Sequence, residues 1–291
     1  MSEQPTLPPN GHEKSYVLGT HDAEIERLGV QHRVWRPRVL EFWRESGISQ
    51  GMTVIDAGCG PGHAALDLAE IVGPKGEVIA LERSRRFLDA LEASAKARGL
   101  ANIRTIETDL AAFDWSNVTA DFLWCRWVLA FLPSPGAIVA GMARALKPGG
   151  AALFQEYYDY ASWRLAPLVP AFEDYVARII ARWRATGSEP DAALALPAQL
   201  AAAGLRIDGV RPHVFAVAMN DFAACCPMGF AREHLAVMIA QGELAQAEAD
   251  AIARVLDAAE ANANALVITP GVLHLRAVKP EQFPSSRVSN A

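Results

Sequence analysis

Three observations predict an α/β fold, a doubly wound and mostly parallel sheet. From Gly51 onward, short apolar segments alternate with amphipathic segments of helical length. The first of these apolar segments ends in a glycine-rich turn, Gly58-Cys59-Gly60-Pro61-Gly62. The apolar segments also read as near-continuous hydrophobic runs, as strands covered by helices on both faces must.

The elements follow in order. Between Asp22 and Ser46, Ile25, Leu28, Val34, Trp35, Leu40 and Trp43 recur at roughly helical spacing, which reads as one or two amphipathic helices. Met52–Asp56 is a short buried strand. Ala64–Val72 is a helix stopped by Gly73-Pro74, and Glu77–Glu82 (EVIALE) a second strand. Arg85–Arg98 is a helix closed by Gly99, followed by strands at Ile103–Glu107 and Ala120–Cys125. Ile138–Leu146 is a helix, and Ala151–Gln155 a fifth strand behind Lys147-Pro148-Gly149-Gly150. The rhythm then breaks. Trp163–Ala185 is helical and aromatic-rich, Leu196–Ala203 is a short helix, and Arg206–Ala218 is a long strand. Asp221–Glu260 is an Ala-rich helical stretch broken near Pro227, and Ala265–Ala277 a last strand interrupted by Pro270-Gly271.

Composition narrows the function. Of 291 residues, 51% are hydrophobic and 21% charged, too apolar for a disordered chain. No window approaches the roughly 18 unbroken apolar residues of a membrane helix. The segment Met1 to Lys14 lacks the basic start and apolar run of a signal peptide, so a cytoplasmic protein is expected. The net charge of −6 and the absence of a Lys/Arg cluster argue against nucleic acid as a partner. Cys59, Cys125, Cys225 and Cys226 show no ligand spacing, so no metal is expected.

The chemistry concentrates in Val54-Ile55-Asp56-Ala57-Gly58-Cys59-Gly60-Pro61-Gly62. A strand delivers Asp56 at its end, and alternate glycines let the backbone turn sharply and approach a ligand. A dinucleotide fingerprint would carry a small residue where His63 stands. Glu82, at the end of the second strand, is positioned to accept two ribose hydroxyls. Nothing basic in the turn calls for a phosphate, so the implied ligand is a nucleoside without phosphates.

These pieces resemble the class I S-adenosylmethionine-dependent methyltransferases. Asp56 to Gly62 (DAGCGPG) is similar to that family's first motif, and Glu82 to its ribose acid. Thr108-Asp109-Leu110 looks like the adenine site, and Cys125-Arg126-Trp127-Val128-Leu129 like the segment along the cofactor's methionine part. Ala145-Leu146-Lys147-Pro148-Gly149-Gly150 resembles the turn before strand five. The resemblance spans roughly Gly51 to Glu156 and implies a seven-stranded, Rossmann-like sheet that binds S-adenosyl-L-methionine through Asp56, Gly58, Cys59, Gly60, Gly62, Glu82, Arg83, Asp109, Leu110, Arg126 and Trp127. Tyr16-Val17-Leu18-Gly19, Glu26-Arg27-Leu28 and Gln31 resemble the arm of ubiquinone/menaquinone-type and natural-product methyltransferases, which makes Tyr16 and Gln31 candidates for the cofactor carboxylate or the acceptor. No Asn-Pro-Pro-Tyr-like segment follows strand four, in contrast to nucleic-acid and protein-amide methyltransferases.

The organisation expected is an N-terminal helical arm over 1–50 and a methyltransferase domain over 51–280. Helical lid inserts are expected near 157–190 and 219–262, with a tail over 281–291. The expected activity is methylation of a small, partly aromatic or apolar metabolite at N, C or O, by a monomer or homodimer. Glu156, Tyr157, Tyr160 and His21 are candidates to position the acceptor or serve as base, His32 in the arm is a further candidate base, and His213 beside Pro212 reads as structural. A nicotinamide-dependent oxidoreductase and a non-catalytic nucleoside binder are the alternatives that this pattern leaves open.

Overall fold

The computed structural model describes residues 20–281. Asp22–Ser46 forms one 25-residue helix, α1, which continues through Pro37. Proline there removes one backbone hydrogen bond, but the flanking Trp35, Val39, Phe42 and Trp43 are all buried and keep the helix on the sheet. His21 caps its start, its Nδ1 accepting the Glu24 amide at 3.2 Å.

The sheet is built from β1 (Thr53–Ala57), β2 (Glu77–Glu82), β3 (Ile103–Glu107), β4 (Ala120–Arg126) and β5 (Leu146–Asp159). These are joined by α2 (His63–Val72), α3 (Arg85–Ala97) and α4 (Pro135–Ala145). Next come β6 (Arg164–Ala166), α5 (Pro170–Ala185), α6 (Leu196–Ala202), β7 (Arg206–His213) and β8 (Ala216–Ala218). The last elements are α7 (Cys225–Ala240), α8 (Gln246–Ala261), β9 (Leu266–Ile268) and β10 (Gly271–Val278). The large sheet has seven strands in the order β3-β2-β1-β4-β5-β10-β7, and β10 runs antiparallel to both its neighbours. Strand order reverses between β1 and β4, so a crevice opens beyond their carboxyl ends, where open α/β sheets bind ligands.

Alternation along the strands sends side chains to two cores. One face packs Val54, Trp124 and Leu153 against α1, α2 and α3. The other packs Ile55, Leu123 and Phe154 against Met142 of α4, and this core runs on through Trp163 into Tyr175, Trp183 and Leu235 of the C-terminal helices. Those helices therefore share the domain's hydrophobic core.

Four boundaries differ from the sequence expectation. Strand β5 runs four residues past Gln155, to Asp159, because β10 pairs with it along that length. The helix expected from Trp163 starts at Pro170, where proline takes a first-turn position. Pro227 does not break α7, because it lies in the first turn, where no intrahelical donor is needed; the break falls at Gly242. Finally, Arg206–Ala218 is divided, as Ala265–Ala277 is at its expected interruption near Pro270-Gly271. Their ends, β8 and β9, leave the large sheet and pair with β6 in a second, three-stranded sheet. The divergence point is clamped, since the Phe215 amide donates to Thr269 Oγ1 at 3.0 Å and the Thr269 amide to the Phe215 carbonyl at 2.9 Å.

Candidate functional site

The glycine turn is fixed by close packing on two sides and open on a third. Gly58, with φ +72°, comes so near Val128 that a Cβ would lie 2.5 Å from its methyl carbon; at Gly62, φ +82°, a Cβ would lie 2.3 Å from Leu91. Gly60, φ +56°, faces open space. Its amide donates to Glu82 Oε2 at 3.0 Å, while Glu82 Oε1 accepts from Arg83 and Ser84 at 2.9 and 3.0 Å. The carboxylate thus bridges the turn after β1 and the start of α3. Cys59 is buried in the turn, and burial pushes its thiol pKa well up.

His63, the residue that broke the dinucleotide pattern, opens α2 and stacks on His32 of α1, with ring centroids 5.8 Å apart. Gly29 of α1 leaves the room: a Cβ there would sit 3.2 Å from the His63 ring. The bulk excluded from a dinucleotide site is absorbed by α1. Burial holds His63 neutral, its pKa lowered to about 4.

After β3, Asp109 is exposed and its Oδ1 accepts the Ala111 amide at 2.9 Å, while Leu110 is buried. Arg83 is exposed beside Glu82. On the α1 face of the sheet, Asp56, Arg126, Gln155 and His274 form a polar stripe across β1, β4, β5 and β10. Asp56 is buried with Oδ2 unpaired, and desolvation raises its pKa to about 7 against the opposing pull of Arg126. Arg126 Nη1 donates to His32 Nδ1 at 3.2 Å. His32 Nε2 lies 3.1 Å from Asp67 Oδ2, and Arg36 grips the same carboxylate at 2.7 and 3.2 Å. His274 Nε2 is paired with Gln155 Oε1 at 3.2 Å and its Nδ1 with His213 Nε2 at 3.1 Å.

Trp127 follows Arg126 with φ +50°, an uncommon conformation for a bulky residue that concentrates at ligand sites. Its ring stacks on Tyr157 at 5.4 Å, meets Trp35 edge-on at 5.6 Å and lies 5.5 Å from the Arg126 guanidinium. Beyond Tyr157, a narrow cleft of about 30 Å³ is walled by Gln31 and Trp35 of α1, Tyr157 and Tyr160, Trp163, Phe215, and Cys226 and Phe230 of α7. Burial raises the Cys226 thiol to about 12.

Glu156 points to the opposite face of β5 from Tyr157. Its Oε1 accepts the amides of Val128 and Leu129 at 2.9 and 3.0 Å, so it anchors the turn that carries Trp127. Burial raises its pKa to about 8 despite those two bonds, whereas a carboxyl in an unfolded chain ionises near 4.3. Between those values the folded chain holds the extra proton, so stability falls as pH rises. We expect the melting temperature to drop between about pH 5 and pH 8, and Glu156→Gln to flatten that drop by at least about 2–4 °C. Asp56 contributes in the same direction to both proteins, so the difference between their pH profiles in scanning calorimetry reads Glu156 alone.

The sequence candidates therefore divide. Asp56, Gly58, Cys59, Gly60, Gly62, Glu82, Arg126 and Trp127 converge around one turn and the adjoining strand ends; Gln31, Tyr157 and Tyr160 line the neighbouring cleft. His21 stands exposed as the cap of α1, and Tyr16 lies outside the described residues. Trp35, Arg36 and Asp67 were not legible as site residues, because only the packing of α1 and α2 brings them to the cleft and the polar stripe, and Gln155 was not because its facing is set by strand register. Among the described residues no group of three or more His, Cys, Asp or Glu is arranged to hold a metal, and no helix is long and apolar enough to cross a membrane.

Residues 48–187 match the family described as the methyltransferase domain. That match lies on the seven-stranded sheet and its glycine turn, whose architecture is that of Rossmann-like methyltransferase folds. The chain is similar to the demethylmenaquinone methyltransferase of Geobacillus kaustophilus, with 32% identity over 41% of this chain and 50% of that one. The Staphylococcus carnosus enzyme of the same name is 29% identical over 49% of this chain and 54% of its own. The chain thus spans about half the length of these relatives. The fold is similar to that of a Bacillus halodurans C-125 protein provisionally named a methyltransferase (TM-score 0.56, 15% identity, 83% of this chain and 98% of that one). It is also similar to that of the Bacillus subtilis YcgJ protein (TM-score 0.55, 16% identity, 81% and 96%).

Proposed function

We propose that the chain transfers a methyl group from S-adenosyl-L-methionine to a small, partly aromatic or apolar metabolite. The observation that carries this reading is the juxtaposition of two different seats: an open, left-handed Gly60 bonded to Glu82 with Asp56 and Arg126 on the adjoining strands, and an aromatic-walled cleft beyond Trp127 and Tyr157. The residues of the first seat fit the cofactor. A carboxylate at the end of β2 suits a ribose diol, and Asp109 with the Leu110 amide suits adenine. The buried, unpaired Asp56 oxygen and the Arg126 guanidinium offer opposite charges to a zwitterionic amino-acid end.

When bound, the cofactor supplies an electrophilic methyl on a sulfonium. The chain's own contribution is to hold donor and acceptor in line, which is worth several kcal/mol of the barrier. Trp127 and Tyr157 form the wall shared by the two seats, Tyr157 orients the acceptor, and the buried aromatic side chains exclude water. Glu156 acts through the turn it anchors.

The test is transfer of labelled methyl from the cofactor to a panel of small aromatic and apolar metabolites by the purified chain. Phe230→Ala should raise the acceptor KM by about tenfold, matching about 1.5 kcal/mol of lost apolar contact, with cofactor affinity unchanged. Absence of transfer across the panel, with cofactor affinity indifferent to Glu82→Ala, would sink the reading.

A further inference from the structure

We propose that Arg36, Asp67 and His32 form a positioning relay that fixes the Arg126 guanidinium as the receptor for the cofactor's carboxylate. This rests on the cofactor reading above, but concerns residues of α1 and α2 outside the nucleoside seat.

The relay has a defined polarity. Arg126 can only donate, so His32 Nδ1 accepts and the ring proton resides on Nε2, which donates to Asp67. Burial of His32, helped by the positive charges of Arg126 and Arg36 and opposed by Asp67, lowers its pKa and keeps it in this neutral form. His63, stacked on the same ring, is itself neutral. Asp67 is held in turn by the fork of Arg36, which reaches it from the surface side of α1. The orientation is thus set three residues away from the guanidinium.

The interposed imidazole also decides what Arg126 is left to bind. A direct Asp67–Arg126 pair would neutralise the guanidinium. A neutral histidine between them orients Arg126 while leaving most of its charge and four of its five N–H donors to other partners. Gln155 lies beside Arg126 in register on β5, with its Nε2 buried and unpartnered, and adds a second donor on the same face. Two donors at neighbouring register positions on one face of the sheet, one of them charged, suit a carboxylate. The relay is not needed merely to seat α1, since Trp35, Val39, Phe42 and Trp43 bury that helix already.

The experiment compares two ligands by titration calorimetry. S-adenosylhomocysteine carries the amino-acid end; 5′-methylthioadenosine has the same nucleoside and thioether without it. His32→Phe keeps the ring but removes the acceptor, and should weaken S-adenosylhomocysteine binding about tenfold while leaving methylthioadenosine within about twofold. Asp67→Asn should show the same selectivity at about threefold. His32→Asn, whose side-chain oxygen can accept from Arg126, should recover much of the loss. Equal losses for both ligands, or no loss for either, would overturn the relay. Wild-type protein that binds neither ligand would instead overturn the cofactor reading on which it rests.

Discussion

Glu82→Ala is expected to weaken cofactor binding by about a hundredfold or more. Hydrogen bonds from a charged carboxylate are worth about 1.5–3 kcal/mol each when the partner is otherwise left unpaired, and two ribose hydroxyls are at stake. The carboxylate also organises the seat itself, because Gly60, Arg83 and Ser84 all donate their amides to it. Removing it therefore loosens the turn as well as deleting the ribose partner. Glu82→Gln separates the two effects. It preserves the side chain's volume but turns one acceptor into a donor facing backbone N–H groups, so it should lose about tenfold in affinity. Calorimetric titration with S-adenosylhomocysteine measures both, and a Glu82→Ala protein that binds like wild type would refute the assignment.

The glycine turn yields the largest expected effect on stability. At Gly62, alanine must adopt φ +82° and place its Cβ 2.3 Å from Leu91 Cδ1 and 2.7 Å from its Cβ and Cγ. The left-handed conformation costs about 1–2 kcal/mol and overpacking a tight site about 1–3 kcal/mol more. Gly62→Ala should lower the melting temperature by about 5–15 °C. Gly60→Ala is the informative contrast. Its Cβ meets nothing within 4 Å, so only the backbone strain of about 1–2 kcal/mol remains. The same Cβ projects into the space assigned to the cofactor, so that protein should melt within about 2–5 °C of wild type yet bind S-adenosylhomocysteine at least about tenfold more weakly. A Gly60→Ala protein with full affinity would show that the open side of the turn is not the seat.

The glycine-turn half of the sheet was legible because its signals are local. Asp56, the alternate glycines and Glu82 occupy strand ends and turns whose conformations depend on residues close in sequence, and their spacing survives folding unchanged. The second half was read less well for a definite reason. Arg206–Ala218 has the composition of a continuous strand, and although Pro270-Gly271 marks an interruption in Ala265–Ala277, nothing local says that Val214-Phe215 and Thr269-Pro270 mark a departure to another sheet. That departure depends on the Phe215–Thr269 clamp, formed by residues more than fifty positions apart. Glu156 shows the same limit at single-residue scale. Its place just past the strand expected over Ala151–Gln155 suggested contact with an acceptor, but strand alternation turns it to the face opposite Tyr157, into the amides of Val128 and Leu129.

By itself, the sequence determined the doubly wound sheet, the succession of its first five strands and the glycine turn after the first, since hydrophobic periodicity and glycine backbone freedom act over a few residues. Only the tertiary structure decided how α1 serves the site. Its Trp35 and Gln31 line the cleft, while its His32 and Arg36 enter the polar stripe with Asp67 of α2. Helical periodicity shows which residues share a face of α1 but not what that face meets, and the chemistry of Arg126 depends on that meeting.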